Sequence, residues 1–153
     1  MALSNTDWEA FGEHVYRFEA PDIVHIRNVG DVAVEDMRRM FELIQTGVAH
    51  VGGPVFWLAG IARMGHVHAE ARKLAIESDT ARNLQGTAIY GGNFQQRAIS
   101  NLAIKAARLL RPARASTPFK FIATESEARA YIEAIRRGAQ GVMSRGSRPP
   151  PLN

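Results

Sequence analysis

Residues 14–37, HVYRFEAPDIVHIRNVGDVAVEDM, decide how the chain begins to fold. Within them, His14–Glu19 and Ile23–Val29 are short runs rich in β-branched and aromatic residues, and the Ala-Pro-Asp between them is typical of a turn. The two runs therefore predict a β-hairpin. Apolar residues then recur at helical spacing from Met37 to Val48, with charged residues on the other side. The stretch as a whole predicts a hairpin followed by an amphipathic helix.

The rest of the chain alternates between strand and helix patterns. Val55–Ala59 is a continuous apolar run, typical of a central strand that is covered on both faces, and the glycines of 60–65 are expected to end it. Four more segments follow, namely a helix around Ala69–Ile76, a strand at Gly86–Tyr90, a helix from Asn93 to about Leu110 and a strand at Phe119–Ile122. A capping box of Thr124 and Glu127 then predicts a last helix.

These elements predict the α/β class with the order β-β-α-β-α-β-α-β-α. Strands that alternate with helices imply parallel pairing through right-handed crossovers, and the initial hairpin adds an antiparallel strand. We therefore expect a single mixed, mostly parallel sheet of about five strands with about four helices.

Length and composition indicate one domain. The 153 residues suffice for one core, and we expect residues 8–137 to form it and the basic, Gly/Ser/Pro-rich residues 138–153 to form a flexible tail. The absence of cysteine excludes disulfides, thiolate metal sites and a cysteine nucleophile. The N-terminus lacks a secretory pattern, and the longest apolar stretch, Val55–Ala62, is far below the roughly 20 residues of a membrane-spanning helix. We expect a cytoplasmic protein without a transmembrane segment.

Charge is distributed unevenly along the chain. Residues 1–60 contain four Arg or Lys and nine Asp or Glu, a net charge of −5, whereas residues 61–153 contain fifteen and six, a net charge of +9. A basic stripe is predicted on the helix that follows Asn93, and it consists of Arg97, Lys105, Arg108 and Arg111. Such a surface can face water, phosphate, an acidic protein or the acidic half of a second copy. No aromatic residue interleaves with it, so specific nucleic-acid recognition is not expected.

Three stretches together resemble a known fold. They are residues 14–37, residues 84–110 (LQGTAIYGGNFQQRAISNLAIKAARLL) and residues 119–135 (FKFIATESEARAYIEAI). With the element order, they resemble the STAS fold and its SpoIIAA-like family of anti-sigma-factor antagonists, which is related in fold to lipid-binding SEC14-type domains. The resemblance covers about residues 13–137 and implies a small cytoplasmic module that works by binding.

One feature of that family is missing. In its anti-sigma-factor antagonists, a serine at the start of the helix after the central strand accepts phosphate from a kinase. The corresponding residues here, Leu58–His66, contain neither serine nor threonine. The phospho-acceptor of the family therefore cannot be carried over to any residue of this segment.

Two places carry candidate binding chemistry. Glycines at a strand end followed by a helix start suit an anion, so Gly91, Gly92, Asn93 and Arg97 are candidates, although Gly-Gly can equally serve only the turn. Met64 and His66 are candidates for contact with a small apolar or acidic ligand near the same strand ends. His66 and His68 are the only close pair of possible metal ligands, and a zinc site would need further ones.

The sequence offers no catalytic signature and implies no cofactor. There is no nucleophile-elbow motif, and the paired carboxylates Glu125 and Glu127 are explained by a helix start, where negative charge is favourable. The leading hypothesis is a non-enzymatic STAS-like regulatory module that binds a partner protein or forms a homodimer. The alternative is a small-ligand or lipid carrier or sensor of the SEC14-like kind. The third is a metal-dependent hydrolase that uses His66 and His68.

Overall fold

The predicted strands pair with one another in a single sheet. The computed structural model describes residues 4–93 and 117–146. Its strands are β1 (Glu9–Phe11), β2 (His14–Glu19), β3 (Ile23–Val32), β4 (Val55–Val67), β5 (Leu84–Tyr90) and β6 (Phe119–Ile122). Its helices are α1 (Val34–Val51), α2 (Ala69–Glu77) and α3 (Glu125–Gly146), with a 3-10 helix at Thr80–Asn83. The helix predicted from Asn93 to about Leu110, and with it the basic stripe, lies outside the described residues.

The sheet confirms the predicted class. Its six strands run in the order β1-β2-β3-β4-β5-β6, with β1, β2 and β3 paired antiparallel and β3 to β6 paired parallel. Strand β1 was not predicted, since its three residues are too few to establish an alternating pattern. The sheet is nevertheless a single mixed α/β sheet, as the order of sequence patterns indicated.

Local signals define the ends of the helices. Helix α1 begins where the Asp36 carboxylate accepts a hydrogen bond from the Ala33 N–H, and it is capped after Val51 by Gly52, whose left-handed backbone donates to the Val48 carbonyl. Helix α3 is capped by Thr124, whose hydroxyl accepts from the Glu127 N–H at 3.2 Å, as predicted. It continues to Gly146, well past residue 137. None of the helices that the structure describes is both long and apolar enough to cross a membrane.

Strand β4 is longer than predicted because its glycines serve close packing rather than strand termination. It continues through Gly60 and Gly65 to Val67. A Cβ on Gly60 would lie 2.7 Å from the Tyr90 hydroxyl, and one on Gly65 would clash with Asp31 Oδ1. Both positions therefore need a residue without a side chain inside an otherwise continuous strand.

Two apolar clusters cover the two faces of the sheet. One cluster lies between the sheet and the helices α1 and α2, where Val24 and Ile26 of β3 pack against Met40 and Ile44 of α1. The other joins the opposite face to α3 and consists of Ile23, Phe56, Leu58, Ala88, Tyr90, Ile122, Ala128 and Ile132. The second face also carries the buried polar side chains of Glu19 and His25.

Candidate functional site

A cluster of ionisable side chains lies on the face of the sheet beneath α3. Side chains alternate along a strand, so His25 of β3 projects to the same face as Ile23 and away from the α1 cluster. In the registers of the sheet, Arg27 of β3 pairs with Gly60 of β4, and Gly60 pairs with Tyr90 of β5. Because Gly60 has no side chain, the phenol of Tyr90 lies across β4 and reaches β3.

His25 is at the centre of the cluster. Its ring is fully buried, with Nδ1 2.7 Å from Glu19 Oε2 and Nε2 2.7 Å from the Tyr90 hydroxyl oxygen. The side chain of Glu19 is only 6% exposed. It also accepts bonds from the two terminal nitrogens of Arg129, at 2.7 and 3.2 Å, and from Arg17 Nε at 2.9 Å. The buried carboxylate is thus fully engaged by the imidazole and the two guanidinium groups.

Glu125, at the first position of α3, is the second carboxylate of the cluster. It accepts from the Tyr90 hydroxyl at 2.9 Å and from a terminal nitrogen of Arg27 at 3.0 Å. Arg129 Nε lies 3.4 Å from its other oxygen, so this arginine contacts both carboxylates. The helix dipole alone therefore does not explain Glu125, because its side chain also connects α3 to β3 and β5.

Trp8 covers the cluster from the N-terminal side. Its ring meets His25 edge-on at 4.8 Å, and the guanidinium carbons of Arg17 and Arg27 lie 4.7 and 4.4 Å from its centroid. The preceding segment is held along β2, because the Thr6 N–H donates to the Phe18 carbonyl and the Phe18 N–H donates to Thr6 Oγ1, both at 2.9 Å. We name Trp8, Arg17 and Arg27 the Arg–Trp–Arg stack.

The cluster shifts the pKa values of its members in opposite directions. Burial alone raises the pKa of Glu19, but hydrogen bonds from His25, Arg129 and Arg17 outweigh it and hold the pKa well below its ordinary value. For His25, burial lowers the pKa and outweighs the attraction of Glu19. Burial also raises the pKa of Tyr90. At neutral pH the cluster therefore contains an ionised Glu19, a neutral His25 and a protonated Tyr90.

The hydrogen bonds of this arrangement depend on the protonation state of His25. Tyr90 has one hydroxyl hydrogen, which can be donated either to His25 Nε2 or to Glu125 Oε1, since both acceptors lie within 2.9 Å. When His25 is neutral and donates its Nδ1 hydrogen to Glu19, its Nε2 accepts the hydroxyl hydrogen of Tyr90. Protonation of His25 supplies a hydrogen at Nε2 and releases the Tyr90 hydrogen to Glu125. The donor pattern of the cluster thus changes with the charge of one imidazole.

The stability of the protein is expected to fall when the pH drops below the ordinary His25 pKa of 6.5. The folded state keeps this pKa low, so the unfolded chain binds the proton first and protonation favours unfolding. We expect the urea midpoint to fall between pH 7.5 and 5.5, and to fall less in His25→Gln. His50→Gln, at an exposed histidine, is the control and should retain the wild-type decrease. Equal decreases in all three proteins would exclude His25 as the cause.

The predicted glycine site lies just beyond the end of β5. Gly91 has a left-handed backbone (φ 87°) and donates its N–H to the Ala123 carbonyl at 3.2 Å, while a Cβ there would lie 3.1 Å from that of Ala62. The turn therefore requires glycine for close packing against β4. Gly92 and the exposed Asn93 follow it, and Arg97 lies outside the described residues.

Met64 and His66 lie farther along β4, away from Gly91. Ala62 contacts Gly91, and His66 is four residues beyond it in extended chain, about 13 Å along the strand. Met64 pairs with Gly30 and packs against the α1 cluster, whereas the His66 N–H donates to Asp31 Oδ1 at 2.8 Å. The structure thus divides the predicted ligand site into two places.

The predicted histidine pair lies at the same outer end of β4. The rings of His66 and His68 are 6.3 Å apart, and His68 Nε2 is 3.4 Å from Asp31 Oδ2. Across residues 4–93 and 117–146, no group of three or more His, Cys, Asp or Glu side chains is placed to hold a metal ion.

Comparison with known proteins identifies the fold. No family model and no curated protein matches the chain. Among solved structures, an uncharacterized DUF3478-family protein from Shewanella loihica PV-4 with a SpoIIAA-like fold is 19% identical, with a TM-score of 0.52 over 85% of this chain and 93% of that one. The unphosphorylated anti-sigma factor antagonist SpoIIAA is 13% identical, with a TM-score of 0.49 over 85% and 98%. The chain therefore has the SpoIIAA-like fold that its three sequence stretches predicted.

Proposed function

We propose that the protein is a non-enzymatic regulatory module that acts by binding a partner protein or a second copy of itself. The observation that carries this proposal is the composition of the cluster at its surface. Its acids and bases are bonded to one another, and the groups that reach solvent are three guanidinium groups, the indole of Trp8 and the carboxylate of Glu125. Arginine and tryptophan are the residue types that most often dominate the energy of protein interfaces.

The buried part of the cluster supports binding rather than catalysis. A general acid or base must come within hydrogen-bond reach of a substrate. His25 and Glu19 are buried beneath Trp8, Arg17 and Arg129, and their polar atoms already have partners. Such a network instead fixes the position of the arginines at its surface.

Regulation by phosphate at the usual family position is not part of the proposal. Residues Leu58–His66 lie in β4, and α2 (Ala69–Glu77) begins only after them. Neither segment contains serine or threonine, and the next hydroxyl is that of Ser78, beyond α2. We propose that this module responds to its partner without a phospho-acceptor at the start of α2.

A cleft beside the sheet edge favours a second candidate function, that of a small-ligand carrier. The cleft has a volume of about 550 Å³, is open to solvent and lies between β6 and α3. Its lining is mainly apolar and includes Ile122, Ala130 and Tyr131, with Lys120 at 5.7 Å from the Tyr131 ring. Ala123, which bonds Gly91, also lines it, so the cleft adjoins the glycine turn that the sequence singled out.

Native mass spectrometry of the purified protein, compared with its denatured mass, separates these functions. We expect a dimer at the bare polypeptide mass, which would support the interaction module. Extra mass that is lost on denaturation, other than a metal ion, would contradict it and favour the carrier. A retained metal ion would instead direct attention to His66 and His68. A monomer without added mass would exclude the second copy and leave a different protein as the partner.

A further inference from the structure

The Arg–Trp–Arg stack has hydrogen-bond donors that bond no acceptor within the described residues. Arg17 is anchored through Nε to Glu19, and Arg27 is anchored through Nε to Tyr90 and one terminal nitrogen to Glu125. In the part of the chain that the structure describes, no acceptor is bonded to either terminal nitrogen of Arg17 or to the second one of Arg27. The two side chains are 31% and 46% exposed, so these donors can reach a partner.

The charges of the cluster do not balance. Three guanidinium groups, those of Arg17, Arg27 and Arg129, surround two carboxylates, those of Glu19 and Glu125. Because burial keeps His25 neutral at pH 7, one positive charge remains in excess. Within residues 4–93 and 117–146, no third carboxylate pairs with these arginines. An added carboxylate at the surface would complete the neutralisation.

The stack is also held in place before any partner binds. Both guanidinium groups lie on the Trp8 ring, and their inner nitrogens are fixed by the buried network. An arginine that is already positioned loses little side-chain entropy on binding, and its planar fork matches a carboxylate. This pre-organisation is typical of a binding surface and is unnecessary for a solvated charge.

We infer that the Arg–Trp–Arg stack is the docking surface for an acidic, extended segment of a partner protein. The inference rests on the proposed function and names the surface and the chemistry of the partner. The guanidinium carbons of Arg17 and Arg27 lie 4.7 and 4.4 Å from one ring centroid, so both groups pack against the same indole. Carboxylates at alternate positions of an extended chain stand about 7 Å apart on one side, so a single segment can offer one carboxylate to each guanidinium group.

The test uses a synthetic peptide of alternating residues, (Ser-Glu)5, and its uncharged counterpart (Ser-Gln)5. Binding is followed by NMR through the indole N–H of Trp8, assigned with Trp8→Phe. We expect (Ser-Glu)5 to shift this resonance, (Ser-Gln)5 to leave it in place, and binding to weaken as salt is added. Arg17→Gln and Arg27→Gln should each weaken binding by about tenfold, the loss expected for one charge-assisted bond.

The matched control is Arg38→Gln, which removes the same charge from an α1 side chain that is 54% exposed. It should change the affinity by less than twofold. Arg17→Gln leaves Glu19 bonded to His25 and Arg129, so this variant is expected to fold, and dispersed amide resonances will verify it. The inference is overturned if both stack variants bind (Ser-Glu)5 as tightly as Arg38→Gln, or if the peptide does not bind. A native dimer in that case would leave the proposed function in place and reject only this surface.

Discussion

Replacement of Glu19 with glutamine is expected to lower the free energy of unfolding by about 3 kcal/mol. The carboxylate is buried and bonded to His25, Arg17 and Arg129. Glutamine keeps its shape but removes the negative charge, which leaves Arg17 without a counter-charge and Arg129 with only that of Glu125, and it presents an amide N–H₂ to donors. Urea unfolding at pH 7.5, followed by circular dichroism, measures the loss.

An exposed ion pair provides the control for this change. Glu42 pairs with Arg39 on the surface of α1 and is 65% exposed. Surface pairs contribute little, so Glu42→Gln is expected to cost less than about 1 kcal/mol. If the two variants unfold at the same urea concentration, the cluster does not stabilise the fold, and its carboxylate must be retained for another reason.

Most of the fold is predictable from the sequence because hydrophobic periodicity reports how each segment is buried. Strands β2 and β6 have the bounds that their residue patterns indicate, His14–Glu19 and Phe119–Ile122. The length of β4 is not predictable in this way. A glycine in a strand pattern indicates either an end or a close approach, and only the position of Tyr90 on the neighbouring strand decides for Gly60.

The candidate site is far harder to predict from the sequence. Its members lie on β2, β3, β5, α3 and the N-terminal segment, and their spacing along the chain carries no motif. His25 stands in an apolar strand run, where a buried histidine indicates a polar partner without naming it. Glu125 has a sufficient local explanation at the start of a helix, and this local role concealed its contact with Arg27, 98 residues away.

Gly60→Ala is expected to destabilise the fold by about 3 kcal/mol, although alanine fits a strand as well as glycine does. Its Cβ would lie 2.7 Å from the Tyr90 hydroxyl and 2.8 Å from the adjacent ring carbon. The phenol must then move and lose its bonds to His25 and Glu125, which leaves the buried Nε2 of His25 unpaired. Gly53→Ala is the control, because a Cβ there meets nothing within 4 Å.

A double-mutant cycle with Tyr90→Leu tests whether the phenol is the cause. Leucine lacks the hydroxyl and the outer ring atoms that the new Cβ would meet, so Gly60→Ala should cost less than about 1 kcal/mol in the Tyr90→Leu background. A large coupling energy would show that Gly60 is required to let Tyr90 cross β4 and complete the cluster. If Gly60→Ala costs the same in both backgrounds, the strand itself requires glycine, and the glycine is not what places Tyr90 beside His25.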